Sequence, residues 1–229
     1  MTRGLLAGKF VLALALFVGV WADPTQALDP AKDLVNKIEA RYQKTTDLTA
    51  EFTQTTTITG FASAIHATGR VYLKRPGKLR WDYLAPTKEQ IFVTNDKVQF
   101  YMRDQQQVVN GQLSLMADSQ APLQLLQGIG RLDEHYRVTV TPDRAKGDGG
   151  LPLLSLTSPT GGASRQHFVI EVEAATHFLR RVEMHDANGN VSTFTFRAIK
   201  TNTGLTDDLF QFTVPKDVEV IAAPMPVQP

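Results

Sequence analysis

The chain of 229 residues contains no cysteine. Without thiols it cannot form a disulfide scaffold, a thiolate metal site or a cysteine nucleophile, and it cannot carry a lipid on an N-terminal cysteine. It also lacks an excess of charge, because 24 Lys and Arg residues nearly balance 23 Asp and Glu residues. The net charge of +1 excludes the broad basic field typical of nucleic-acid binding. The 42% hydrophobic and 21% charged content indicates a soluble globular protein.

Sequence motifs of catalysis and cofactor binding are missing as well. The chain has neither a Gly-x-Ser-x-Gly turn nor a His-Glu-x-x-His helix. His177 and His185 are eight residues apart, which is about 26 Å along an extended strand, so they cannot share a metal ion. Gly128-Ile-Gly130 lacks the third glycine of a dinucleotide site. We therefore predict a protein that is not an enzyme and that uses no cofactor or metal.

The chain has one long apolar run, near its N-terminus. Arg3 and Lys9 precede the apolar stretch 10–21, and Ala22 and Ala27 follow it. This order is typical of a secretory signal peptide, and the run is shorter than the roughly 20 residues of a membrane span. We predict a cleaved signal peptide over residues 1–27, with cleavage after Ala22 or a retained anchor as alternatives. Residues 28–229 are then expected to form one domain in a bacterial-type periplasm, with a loose Pro-rich tail from residue 222.

The apolar period of the mature chain changes from helical to strand-like. Asp29-Pro30 predicts the start of an amphipathic helix that ends near Lys44. One or two short helices are expected between Gln112 and Glu134, and Phe210, Phe212 and Val214 alternate in a final extended piece. The pattern predicts about eleven short strands, which cover residues 52–59, 66–75, 79–83, 89–94, 97–103, 106–109, 136–141, 153–157, 167–172, 178–184 and 191–199. Such regular short strands indicate a mainly β fold with a highly curved sheet or barrel.

Two questions stay open at the level of pattern. Arg75 continues the apolar face of its strand, so it points either inward or, if the Pro76 turn bends it away, into solvent. The apolar side chains either fill the core of a β-sandwich completely or leave a hydrophobic cavity. These side chains include Val71, Leu73, Leu79, Trp81, Ile91, Val93, Phe100, Phe168 and Ile170.

Several sequence blocks resemble one known family. The most specific is Gly69–Tyr83, with its Lys-Arg-Pro-Gly and Arg-Trp-Asp-Tyr motifs. The segments that support it are Pro86, residues 90–95, 97–101 and 107–108, the Pro122–Leu126 region and the ending Leu209–Ile221. In this order they resemble the LolA family of periplasmic carriers of outer-membrane lipoproteins, over essentially the whole mature chain.

The resemblance implies an unclosed, eleven-stranded antiparallel β-barrel whose helices form a lid over a hydrophobic cavity. It implies transfer of acylated lipoproteins from an inner-membrane ABC transporter to an outer-membrane receptor of the same fold. That receptor carries an acylated cysteine, so the absence of cysteine selects the soluble carrier, expected as a monomer. In this comparison Pro122, Leu123, Leu125 and Leu126 belong to the lid helix, the nine apolar residues named above line the acyl-chain cavity, and Arg75 points inward to bond the lid backbone.

Two other functions stay open beside this one. A carrier or sensor of other lipids fits the same scaffold. An interaction module that binds a peptide strand at the open edge of the barrel fits the strand pattern.

Overall fold

The computed structural model describes residues 29–115, 121–141, 146–157 and 167–223. The predicted signal peptide and the Pro-rich end at 224–229 lie outside these ranges. Among the described residues, no helix is both long enough and apolar enough to cross a membrane.

An N-terminal helix, α1 (Pro30–Gln43), begins where the sequence predicts it. The Asp29 carboxylate accepts a hydrogen bond from the backbone N–H of Ala31 at 3.0 Å, and Pro30 occupies the first helical turn. Both features favour helix initiation. One face of α1 is buried, through Ala31, Leu34, Val35, Ile38 and Tyr42.

Within the ranges given above, twelve strands form one sheet, in the order β12-β6-β5-β4-β3-β2-β1-β11-β10-β9-β8-β7. In the described chain the edge strands β12 and β7 do not pair with each other, so the sheet is unclosed. The strands are β1 Asp47–Thr57, β2 Ile65–Lys74, β3 Lys78–Ala85, β4 Glu89–Thr94, β5 Lys97–Met102, β6 Gln107–Gln112, β7 Arg137–Val140, β8 Leu154–Thr157, β9 His167–Val172, β10 Leu179–His185, β11 Val191–Thr201 and β12 Glu219–Ala222.

The mainly β, unclosed fold is confirmed, with two corrections. The expected count of about eleven misses β12, which pairs with β6 in the parallel direction, Val220 opposite Val108. Four residues are too few to show an alternating pattern, and β12 forms because the edge of β6 offers free backbone groups. The last residue of β12 is Ala222, where the loose tail was expected to start.

The second correction concerns the extended piece predicted around Phe210–Val214. Residues Asp207–Phe210 form a 3-10 turn, and Phe212 stacks on Phe92 of β4 with ring centroids 4.9 Å apart. The aromatic residues alternate here because the segment packs on the outer face of the sheet, not because it pairs at an edge. We call Leu205–Phe212 the C-terminal strap.

The inner face of the sheet is covered by α1 and by a helical segment between β6 and β7. This segment contains α2 (Ala121–Gly128), a 3-10 turn (Ile129–Arg131) and α3 (Leu132–His135). We call residues 121–135 the lid segment. A 3-10 turn at Leu113–Leu115 precedes it, in the region where short helices were predicted.

Candidate functional site

The lid segment inserts its apolar side chains into the core of the protein. Leu123, Leu125 and Leu126 of α2 are buried, and so are Ile129 and Leu132 beyond it. Pro122 is half-buried in the first turn of α2, a position that proline tolerates. The four residues predicted for the lid helix therefore all lie in α2, over the inner face of the sheet.

The residues predicted for the acyl-chain cavity share that inner face. Cross-strand pairing places Val71 opposite Trp81, and Leu79 opposite Val93. Phe100 is only partly buried and packs against the edge of the cluster. The other eight are buried together with the leucines of the lid: Val71, Leu73, Leu79, Trp81, Ile91, Val93, Phe168 and Ile170. We call the cluster formed by the sheet, α1 and the lid segment the apolar interior.

Among the described residues, the apolar interior is closely packed. It keeps a void of about 10 Å³, close to the space of one water molecule. Val71 and Leu73 are the two predicted cavity residues that line the void, and Leu126 of the lid borders it. The other lining residues are Tyr42, Leu48, Ala50, Leu179, Phe196 and Ile199. Around this void, the side chains of the sheet, α1 and the lid segment form a packed core.

Aromatic rings form the centre of this core. The Phe52 ring lies 4.3 Å from Trp81 and 5.4 Å from Tyr83, measured between ring centroids. Phe194 meets Trp81 edge-on at 5.6 Å. The Tyr83 hydroxyl donates to the Gln54 side-chain oxygen at 3.0 Å, and burial raises the pKa of Tyr83 to about 12. The rings keep the interior apolar, and the tyrosine hydroxyl is satisfied at the periphery.

Arg75 follows β2 directly and reaches the lid segment. Its backbone N–H donates to the carbonyl of Thr46 at 2.9 Å, and its guanidinium lies against Gly130. A Cβ atom placed on Gly130 would be 2.6 Å from Nη2 of Arg75, which shows how close the two groups are. The side chain thus points toward the lid and not into solvent beyond the Pro76 turn.

The guanidinium is nevertheless short of hydrogen-bond acceptors. Within the part of the chain that the structure describes, buried Nε and Nη2 of Arg75 have no partner. Burial lowers the pKa of Arg75, the nearby charge of Arg131 acts in the same direction, and Tyr42 opposes both. The bonds from Arg75 to lid carbonyls that the resemblance implies are therefore not formed by these two nitrogens.

Two side chains of α1 that the sequence did not single out hydrogen-bond to the lid segment. Nε2 of Gln43 donates to the carbonyl of Gly130 at 3.0 Å, and the Glu39 carboxylate accepts from the backbone N–H of Asp133 at 3.2 Å. Burial raises the pKa of Glu39. In the sequence these residues look like ordinary polar positions of a helix, and no local pattern distinguishes them.

Histidines come together at one further place. His167 and His185 face each other across β9 and β10, with ring centroids 5.3 Å apart, and His167 Nε2 lies 2.7 Å from the Ser155 hydroxyl. The described residues nevertheless include no group of three or more His, Asp or Glu side chains that could hold a metal ion. The site is therefore characterised by a buried apolar cluster and by the hydrogen bonds from Gln43 and Glu39 to the segment that covers it.

An unclosed sheet whose inner face is covered by a lid places the chain in the open-barrel class of protein. Known structures show the same fold. An uncharacterized conserved protein from Thermus thermophilus gives a TM-score of 0.52 at 16% identity, covering 84% of this chain and 98% of that one. A DUF1329 family protein from Desulfovibrio piger gives 0.51 at 14% identity, covering 80% and 98%.

Sequence comparison gives the family. The family described as "Outer membrane lipoprotein carrier protein LolA" matches residues 43–213, so the chain belongs to the LolA family. The outer-membrane lipoprotein carrier protein of Methylococcus capsulatus is 28% identical over 214 residues, which is 93% of this chain and 97% of the relative. That of Cupriavidus taiwanensis is 30% identical over 155 residues, 68% and 70% of the two chains. Members of this family are non-enzymatic carriers, which confirms the prediction that the chain is not an enzyme.

Proposed function

We propose that the mature chain is a periplasmic chaperone for acylated lipoproteins. It accepts them from an inner-membrane ABC transporter and delivers them to an outer-membrane receptor. The observation that carries this proposal is the apolar interior, into which a separate helical segment inserts Leu123, Leu125 and Leu126. The relatives that carry the name outer-membrane lipoprotein carrier protein support the identity of the cargo.

The free-energy cost of exposing acyl chains to water explains why such a carrier is needed. Three acyl chains contain roughly 45 methylene groups, and exposing each costs about 0.8 kcal/mol, or on the order of 35 kcal/mol in total. A lipoprotein cannot cross water at that cost, so the carrier has to bury most of this surface. It also has to release the chains, so the interior cannot bind them too tightly.

The lid segment meets both needs in the mechanism we propose. The void of about 10 Å³ is far below the roughly 300 Å³ of a small ligand pocket, so acyl chains enter only when the leucines of the lid leave. The apolar contacts that the lid loses on loading are replaced by contacts with the cargo. This exchange lowers the net affinity and makes delivery feasible.

Arg75 is the lid latch in this proposal. It acts through the close packing of its guanidinium against Gly130, where the lid turns between α2 and α3. The cavity that opens is lined by the predicted residues of the sheet, from Val71 on β2 to Ile170 on β9.

A release assay tests the function directly. The purified mature protein is incubated with energised spheroplasts that carry a labelled triacylated lipoprotein, and a known carrier serves as the positive control. We expect a soluble complex with the acylated form and none with a form that lacks acyl chains. If the known carrier releases the label and this protein does not, the proposal fails, and mass spectrometry of lipids bound to the purified protein becomes the next measurement.

A further inference from the structure

The lid segment is fastened to α1 as well as packed on the sheet. Gln43 donates to the carbonyl of Gly130, and Glu39 accepts from the backbone N–H of Asp133. The two side chains are four residues apart and so lie on the same side of the helix. One supplies a donor and the other an acceptor, which fixes both the position and the direction of the lid backbone along α1.

The helix that bears these two residues is itself held firmly. Ile38, which precedes Glu39, and Tyr42, which precedes Gln43, are buried in the apolar interior. The Tyr42 hydroxyl accepts a hydrogen bond from the backbone N–H of Leu179 on β10 at 3.1 Å. The bonds from Glu39 and Gln43 therefore connect the lid to an element that is anchored to the sheet.

The contrast with Arg75 shows which side chain binds the backbone of the lid. Arg75 touches the same glycine, but its buried Nε and Nη2 have no hydrogen-bond partner among the described residues. The carbonyl of Gly130 is bound by Gln43 instead. Among the described residues, Gln43 and Glu39 of α1 hydrogen-bond to the lid backbone, whereas the guanidinium of Arg75 packs against it and its Nε and Nη2 form no hydrogen bond.

We propose that Gln43 and Glu39 form a clasp, the α1 clasp, that holds the lid closed and sets how readily it opens for cargo. Both are positioning residues, because they act through the lid and do not touch the acyl chains. The inference rests on the proposed function, in which the cargo displaces the lid. The clasp itself belongs to the empty protein, so it can be tested without any cargo.

The test is hydrogen exchange of the lid segment in the empty mature protein, followed by mass spectrometry of peptides that cover residues 121–135. Gln43→Met and Glu39→Met remove the donor and the acceptor at similar side-chain length. Gln43→Lys and Glu39→Gln keep a donor and an acceptor, respectively. Asn36→Met, at an exposed position of the same helix, is the matched control.

We expect each methionine variant to lower protection of the lid about fivefold, the effect of one hydrogen bond of typical strength. The variants that keep the hydrogen-bonding group and the Asn36 control should retain protection. A second readout is the association rate of a fluorescent triacylated cysteinyl peptide, which should rise in the methionine variants because the lid opens more often.

Three outcomes would overturn the clasp: unchanged protection in both methionine variants, equal loss in the variants that keep the hydrogen-bonding group, or equal loss in the Asn36 control. A loss that the retained groups rescue supports it. The exchange result does not depend on the identity of the cargo, so failure of the clasp and failure of the carrier function remain distinguishable.

Discussion

At the scale of single residues, Gly69 shows how closely the apolar interior is packed. Gly69 lies in the middle of β2, directly opposite Phe52 of β1. A Cβ atom at this position would overlap the Phe52 ring and the carbonyl of Asp82. The glycine is needed because an aromatic ring covers the strand here, a known use of glycine within a sheet.

We expect Gly69→Ala to lower the free energy of unfolding by about 1–3 kcal/mol, the usual cost of overpacking a core. Urea unfolding measures this directly. Gly149→Ala is the control, because a Cβ atom there would meet its nearest neighbour, the carbonyl of Val172, at an ordinary 3.4 Å. Equal free energies of unfolding for the two variants would show that the Phe52 ring and its surroundings move aside at little cost.

Arg75 is the second residue whose effect can be predicted on its own. Its guanidinium is half-buried beside the apolar interior, and burial lowers its pKa. Acyl chains that approach this group must displace what remains of its hydration, which is costly. A leucine removes both that cost and the contact with Gly130, so the loaded state gains stability.

We therefore expect Arg75→Leu to take up lipoprotein but to fail in passing it on to a receptor. Transfer is measured as label that moves from the purified soluble complex to outer-membrane vesicles. Arg131→Leu is the matched control, because Arg131 is an exposed arginine of the lid that pairs with Glu134 at 3.3 Å. Normal transfer by the Arg75 variant would contradict the role of latch.

At the scale of elements, the C-terminal strap is tied to the sheet by charge as well as by rings. Asp207 pairs with Lys74 at 2.5 Å and with Lys78 at 2.7 Å. Hydrogen bonds from these two lysines lower the pKa of Asp207 to about 2. A carboxylate whose pKa is depressed in the folded state stabilises the fold above its unfolded pKa of about 3.9, and this contribution is lost as the pH falls through the folded value.

We expect Asp207→Asn to be less stable than the wild type at pH 7 and the difference to shrink between about pH 4 and pH 2. Urea unfolding at three pH values in low salt measures it. In 1 M salt the difference should shrink at pH 7 as well, because Asp207 is exposed and salt screens both of its ion pairs. A difference that is independent of both pH and salt would assign the effect to something other than the ion pairs.

Whether the sequence predicts a secondary-structure element depends on which contacts stabilise that element. The bounds of β4 and β9 agree with the pattern, and Asn188-Gly189 forms the turn between β10 and β11 as its hairpin signal indicates. Packing against the inner face imposes these patterns. β12 depends on a free edge, and the strap depends on contact with the outer face, so neither follows from local alternation.

The residues of the candidate site also divide into those that the sequence predicts and those that depend on distant contacts. The apolar side chains of the sheet could be predicted because burial leaves a periodic trace in the sequence, whereas the lid leucines are assigned through the family resemblance. The inward position of Arg75 followed from alternation together with a family resemblance. Gln43 and Glu39 could not be predicted, because a polar residue on a helix that bonds to a distant backbone looks like any solvated one.

At the scale of the whole molecule, the described residues form an apolar interior packed with the protein's own side chains. The strands supply one wall, and in the mechanism we propose the apolar groups of the lid segment occupy the place that cargo takes. Loading therefore has to replace contacts of the lid with contacts of acyl chains around Trp81, which is 1% exposed and lies among Phe52, Phe194 and Phe196. The proposed carrier mechanism depends on this replacement.

Fluorescence of Trp81 measures the replacement most directly. The sequence has two tryptophans, and cleavage of the predicted signal peptide removes Trp21, so Trp81 alone reports. The mature protein is titrated with a triacylated cysteinyl peptide whose acyl chains carry bromine, a contact quencher, and with the same peptide without acyl chains. We predict saturable quenching by the acylated peptide alone, because only its chains reach the ring. Saturable binding of the acylated peptide with no quenching of Trp81 would place the chains outside the apolar interior and contradict the account.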